Sequence, residues 1–116
     1  MAEFTKVSKT GELKDGSMKA VNVAGHEILL ARVGDSYYAG DNYCPHMGGK
    51  LSQGKLEGTV VTCPRHGSQF DLMDGRVVRW LKGSGLVSMV GKALKSPRPL
   101  ATYNVKAEDD RIWIEI

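Results

Sequence analysis

The chain is 116 residues long, 41% hydrophobic and 25% charged, with a formal net charge of +3 and two cysteines. That length suits one domain, 1–116, with a modest core, and no apolar run approaches the ~18 residues that span a bilayer. The opening MAEFTKVSKTGELKDG has an early acid and no apolar h-region, which argues against a secretory signal and predicts a soluble, cytoplasmic protein with no membrane partner.

Strand signals begin at once. Residues 4–7 read as a short strand, and 9–17 as a polar turn with room for one helical turn. Met18–Val23 alternates apolar and polar side chains, Ala24-Gly25 makes a turn, and His26–Val33 returns as the second arm of a hairpin. Gly34-Asp35 is another two-residue turn signal, after which 36–40 carries the chain towards Cys44. His26, beside a turn and without a partner at ligand spacing, reads as an ordinary surface histidine.

The stretch from Cys44 to Asp71, CPHMGGKLSQGKLEGTVVTCPRHGSQFD, carries the chemistry. Cys44-Pro45-His46 and Cys63-Pro64-Arg65-His66 each join one thiol to one imidazole, with 16 residues between His46 and Cys63. Glycines flank both pairs, at Gly48, Gly49 and Gly67, where the missing Cβ lets backbone N–H groups come close to a bound group. A structural zinc site is one alternative, although zinc sites usually pair cysteine with cysteine and histidine with histidine. A Cys44–Cys63 disulfide is another, and it needs an oxidising compartment. Within the spacer Leu51 and Leu56 are apolar, Gly54 and Gly58 mark turns, and 59–62 is a β-branched strand entering Cys63. Phe70 and Leu72 then read as a strand, Asp74-Gly75 as a turn and 76–80 as the return strand.

In the segment LKGSGLVSMVGKALKSPRP, Leu86, Val90, Ala93 and Leu94 fall at i, i+4, i+7 and i+8, one face of a short helix within 84–95. Ser84 is a candidate N-cap. That face either packs on its own domain or, with its basic flanks, serves a partner or self-association through 81–99. Residues 100–105 and 111–116 close the chain as a terminal hairpin turning at 108–110. From Gly75 to Ala107 there is no acid, while Arg76, Arg79, Lys82, Lys92, Lys95, Arg98 and Lys106 are basic. The run is either a solvated face or a docking surface for an acidic redox partner. Few aromatics interleave with these charges, which argues against nucleic acid.

The paired C-x-H and C-x-x-H motifs resemble the Rieske iron–sulfur family. The resemblance implies an all-β Rieske fold of antiparallel sheets, sandwich- or barrel-like, with a small cluster-binding subdomain at about 42–80 and an insertion at 81–99. It implies one [2Fe-2S] cluster per chain, with Cys44 and Cys63 on the inner iron and His46 and His66 on the outer. Neutral imidazoles on one iron raise the potential above that of an all-thiolate cluster. Met47, Gly48, Gly49, Arg65, Gly67 and Ser68 would surround the ligands, and Pro97 and Pro99 would supply a third, shielding loop. A family member that has lost its cluster is a further alternative, but all four ligand types are present.

High-potential respiratory members add a second cysteine pair and a serine–tyrosine pair that hydrogen-bonds the cluster. Here Gly49 and Arg65 stand at the cysteine positions, Ser68 matches the serine, and Phe70 replaces the tyrosine. The expected potential therefore lies in the lower or middle part of the span from about −150 to +300 mV. By resemblance the chain is a soluble ferredoxin relaying electrons from a flavin-dependent reductase to an oxygenase, and not itself an enzyme. It has no spare histidine pair and carboxylate for the mononuclear iron of the oxygenases. The alternatives are the small Rieske subunit of an assimilatory nitrite reductase and a cluster-based redox sensor.

Overall fold

The computed structural model describes residues 4–44, 49–64, 67–79 and 99–116. Eleven strands run through these residues: β1 (Phe4–Lys9), β2 (Met18–Val23), β3 (His26–Val33), β4 (Ser36–Asp41), β5 (Lys55–Glu57), β6 (Val60–Thr62), β7 (Gln69–Asp71), β8 (Val77–Arg79), β9 (Thr102–Tyr103), β10 (Val105–Glu108) and β11 (Arg111–Glu115). They form three antiparallel sheets, ordered β1-β11-β10, β2-β3-β4-β9 and β5-β6-β7-β8. The all-β expectation holds. Two 3₁₀ turns, Thr10–Glu12 and Leu51–Gln53, complete the regular structure of the described residues.

β3 organises the packing. Its residues Ile28, Leu29, Leu30 and Ala31 are all fully buried, so it reads as a continuous apolar run rather than the alternation of a half-exposed strand. Successive side chains point to opposite faces, and the two faces feed two cores. Ile28 and Leu30 pack with Leu13, Val23, Ala39, Ile112 and Ile114. Leu29 and Ala31 pack with Leu51, Val61, Phe70, Leu72, Leu100 and both cysteines. The second core ties the small sheet β5–β8 to the larger body, and the candidate site is rooted in it.

The hairpins follow local chemistry. Ala24 (φ 51°) and Gly25 (φ 83°) are both left-handed at the β2–β3 turn, as are Asp109 (φ 54°) and Asp110 (φ 60°) at the β10–β11 turn. Two consecutive positive φ values match the twist of the flanking strands. Between β7 and β8, the Asp71 carboxylate accepts the Met73 N–H at 2.9 Å and pairs with Arg76 at 3.2 Å.

Two expectations need correction, and one strand was not foreseen. The strand expected over 100–105 is broken: Thr102–Tyr103 pairs with β4, whereas Val105–Glu108 pairs with β11. Asn104 is the crossing point, its carbonyl accepting the Glu115 N–H at 2.9 Å and its side-chain amide donating to the Glu115 carboxylate at 2.8 Å. On the β4 side Tyr103 donates to the Asp41 carboxylate at 2.5 Å, and burial together with that anion pushes the Tyr103 hydroxyl up to about 12. Leu72 lies one residue beyond β7, in the turn, yet is only 2% exposed, and its N–H still donates to the Thr59 carbonyl at 2.7 Å. Lys55–Glu57 forms a strand on β6, which its charged ends did not suggest. The helix expected within 84–95 and the self-association face at 81–99 lie outside the described residues. Among the described residues no helix is long and apolar enough to cross a membrane.

Candidate metal centre

Both cysteines leave the ends of strands and turn at once into short loops with the same closure. At the first loop, which follows β4, the Cys44 N–H donates to the Gly49 carbonyl at 2.8 Å, Tyr43 bridges Lys50, and the Leu51 N–H donates to Asn42 at 2.7 Å. At the second, between β6 and β7, the Cys63 N–H donates to the Ser68 carbonyl at 2.7 Å and the Gly67 N–H returns to the Cys63 carbonyl at 3.1 Å. In each case the cysteine N–H meets a carbonyl five residues on, so each histidine of the motif lies in the span between cysteine and closure. Gly67 sits at φ 75°, in the left-handed region that favours glycine.

Cys44 and Cys63 are 3% and 2% exposed, share one core, and are not joined by a disulfide. Ser68 is fully buried and Gly49 buried, Gly67 is half-buried, and Pro99 is exposed. His46, Met47, Gly48, Arg65, His66 and Pro97 lie outside the described residues. Phe70, at the position where respiratory members have tyrosine, is fully buried in the core that holds the cysteines.

Three residues that the sequence does not assign to the site shape the loops. Asn42, fully buried, donates to the Glu27 carboxylate at 2.7 Å and accepts the Ser52 N–H at 2.7 Å, pinning both ends of the first loop to β3. Gly54 passes so close to Thr62 that a Cβ would meet its carbonyl oxygen at 1.8 Å. Arg79 donates to the Gly67 carbonyl at 3.0 Å, on the second loop. Asn42 carried a faint signal, as a polar residue two positions before a ligand. Gly54 reads in the sequence only as a turn glycine and Arg79 only as part of the basic run; their contacts with the loops are made by folding.

Two buried thiols at the feet of matched loops, each loop also carrying a histidine, are a donor set of two sulfurs and two nitrogens. That set suits a cluster with thiolates on one iron and imidazoles on the other. A model of the Rieske [2Fe-2S] domain matches residues 3–89. The chain belongs to the Rieske [2Fe-2S] family. The ferredoxin component of a naphthalene 1,2-dioxygenase system from Pseudomonas aeruginosa is 34% identical over 105 residues, 90% of this chain and 88% of that protein. The ferredoxin of carbazole 1,9a-dioxygenase from Nocardioides aromaticivorans IC177 superposes with a TM-score of 0.79 at 26% identity, over 96% of this chain and 95% of its own. A chain from a complex of reduced oxygenase and oxidized ferredoxin in carbazole 1,9a-dioxygenase superposes with a TM-score of 0.76 at 27% identity, over 96% of this chain and 91% of its own.

Within a Rieske site a hydroxyl that donates to a cluster sulfur stabilises the reduced, more negative state. Ser68 is fully buried and its carbonyl accepts the Cys63 N–H at 2.7 Å. Ser68→Ala is expected to lower the midpoint potential of the loaded protein, read by spectroelectrochemical titration; an unchanged potential would remove Ser68 from that role.

Proposed function

We propose that this chain is a one-electron carrier of the ferredoxin type, working in the cytoplasm, that takes electrons from a flavin-dependent reductase and delivers them to an oxygenase. Cys44 and Cys63 would hold the inner iron of one [2Fe-2S] cluster, and His46 and His66 the outer iron. The cluster-binding subdomain would span about 42–80, with 81–99 as an insertion. The observation that carries this reading is the matched closure of two loops on buried, unbridged cysteines, within a chain that resembles named ferredoxin components along most of its length. Those names favour a carrier over the small subunit of a nitrite reductase or a redox sensor, and a carrier moves electrons without making bonds.

When bound, the cluster supplies one reversible electron. The chain's own contribution is to hold, bury and expose. Cys44 and Cys63 sit in an apolar core with Leu51, Val61, Phe70 and Leu72, which keeps water from the sulfur side and lowers the local dielectric. The backbone closures, the Cys44 N–H on Gly49 and the Cys63 N–H on Ser68, tie each cysteine to the far end of its own loop. Tyr43, 49% exposed, and Lys50 and Pro64, also exposed, flank the ligand positions along the chain. Arg76 is engaged by Asp71, and Lys106 by Glu108 and the Phe4 ring. The basic run therefore offers partners less free charge than its sequence suggests, and Lys82, Lys92, Lys95 and Arg98 lie outside the described residues.

EPR of the dithionite-reduced protein tests the reading, because imidazole-ligated clusters give a signal distinct from all-thiolate ones. The Rieske-type signal is expected. A protein that stays colourless after anaerobic reconstitution, or binds zinc stoichiometrically instead, would overturn it.

A further inference from the structure

We infer that Arg79 is a positioning residue for the second ligand loop, and that its fixed charge favours the reduced form of the centre. The inference rests on the carrier reading above and adds to it the residue that tunes this chain's potential. β8 is a short strand that pairs with β7 through Gln69↔Arg79 and Phe70↔Val77, one step on β7 against two on β8. The extra residue is Val78, which is 48% exposed. A bulge of this kind bends the strand and re-aims a neighbouring side chain. Arg79 is the residue re-aimed. Its Nε–H reaches back twelve positions to the Gly67 carbonyl at 3.0 Å, at the residue directly after His66.

Two consequences follow from that contact. The first is mechanical. The Gly67 peptide is held from both sides, its N–H on the Cys63 carbonyl at 3.1 Å and its carbonyl on Arg79. The left-handed turn that follows the histidine is thereby held between Cys63, just past β6, and the end of β8. The second is electrostatic. A guanidinium stays protonated at every working pH, and no carboxylate among the described residues forms an ion pair with Arg79. Its charge therefore acts outward on whatever occupies the loop. Adding an electron to the centre increases negative charge there, and a fixed cation in a half-buried position favours that step. Arg76 carries the same charge three residues earlier, but its partner Asp71 offsets it.

The test compares midpoint potentials of the reconstituted wild-type chain with Arg79→Gln and Arg79→Lys, each loaded to the same iron content. Arg79→Gln removes the charge and is expected to lower the one-electron reduction equilibrium by up to about tenfold, ~59 mV. Arg79→Lys keeps the charge and is expected to recover most of that shift. A merely structural role would move the melting temperature and leave the potential of the folded, loaded fraction in place. Arg79→Met, which keeps the apolar stem, replaces the glutamine variant if that one does not fold. Equal potentials in wild type and Arg79→Gln, or equally lowered ones in Arg79→Gln and Arg79→Lys, overturn this inference alone. A wild-type chain that assembles no imidazole-ligated cluster overturns it together with the carrier reading.

Discussion

Cys63→Ser is expected to yield a chain that folds, stays colourless on anaerobic reconstitution and gives no Rieske-type EPR signal. The thiolate is the ligand that such a cluster needs, and a serine hydroxyl stays protonated at neutral pH and is a much harder donor. The loss should be complete rather than graded, because the two loops contribute one sulfur each and Cys44 is the only other cysteine in the chain. The apo fold should survive, since the loop is closed by the Cys63 and Gly67 N–H groups, neither of which depends on the side chain. There is still a cost. Cys63 is 2% exposed in a core that includes Phe70 and Val61, and a hydroxyl placed there without a partner costs about 1–3 kcal/mol. Cys63→Ala avoids that penalty, so the alanine variant should melt above the serine variant while both lack the signal. Iron content, EPR and thermal melts of the two chains separate loss of a ligand from loss of the fold. A cluster retained in either variant would remove Cys63 from the ligand set.

What could be read in advance was what local sequence encodes. Met18–Val23 and His26–Val33 were bounded correctly by alternation, by the Ala24-Gly25 turn and by a run of large aliphatics. The ligand motifs were legible because their chemistry is packed into three- and four-residue units. The features that escaped are those set by residues distant along the chain. The break at Asn104 exists because Tyr103 is claimed by Asp41 in one sheet and Val105 by Ile114 in another. Lys55–Glu57 is a strand because Val60–Thr62 lies beside it, and its own composition would suit a loop. Gly75 reads correctly as a turn glycine at φ 81°. Its other duty, leaving room for the Leu100 carbonyl that a Cβ would meet at 1.9 Å, depends on a segment 25 residues away and leaves no local trace.

Gly54→Ala is the second large effect, and it distinguishes two glycines that look alike in the sequence. Gly54 and Gly58 flank the same three-residue strand and both read as turn residues. Gly58 has φ 58° and open space where a Cβ would go, so Gly58→Ala should cost only the left-handed conformation, about 1–2 kcal/mol. Gly54 has an ordinary negative φ of −89°, and its restriction is steric. A Cβ there would stand 1.8 Å from the Thr62 carbonyl oxygen and 3.1 Å from Pro64. These are a backbone atom and a ring, neither of which can swing aside. Thr62 and Pro64 bracket Cys63, and Gly54 closes the 3₁₀ turn that follows the first loop, its N–H on the Leu51 carbonyl at 2.9 Å. The extra methyl would therefore drive the chain leaving one ligand loop away from the chain entering the other. Overpacking of this kind costs about 1–3 kcal/mol and sometimes more, and with backbone as the obstacle the upper end is expected, a fall in melting temperature on the order of 10 °C. The sharper signature is functional. Gly58→Ala should load iron like wild type, whereas Gly54→Ala should load poorly even below its melting point, because the spacing between Cys44 and Cys63 is what the added methyl disturbs. Equal iron content in the two variants would show that the loops adjust independently of this contact.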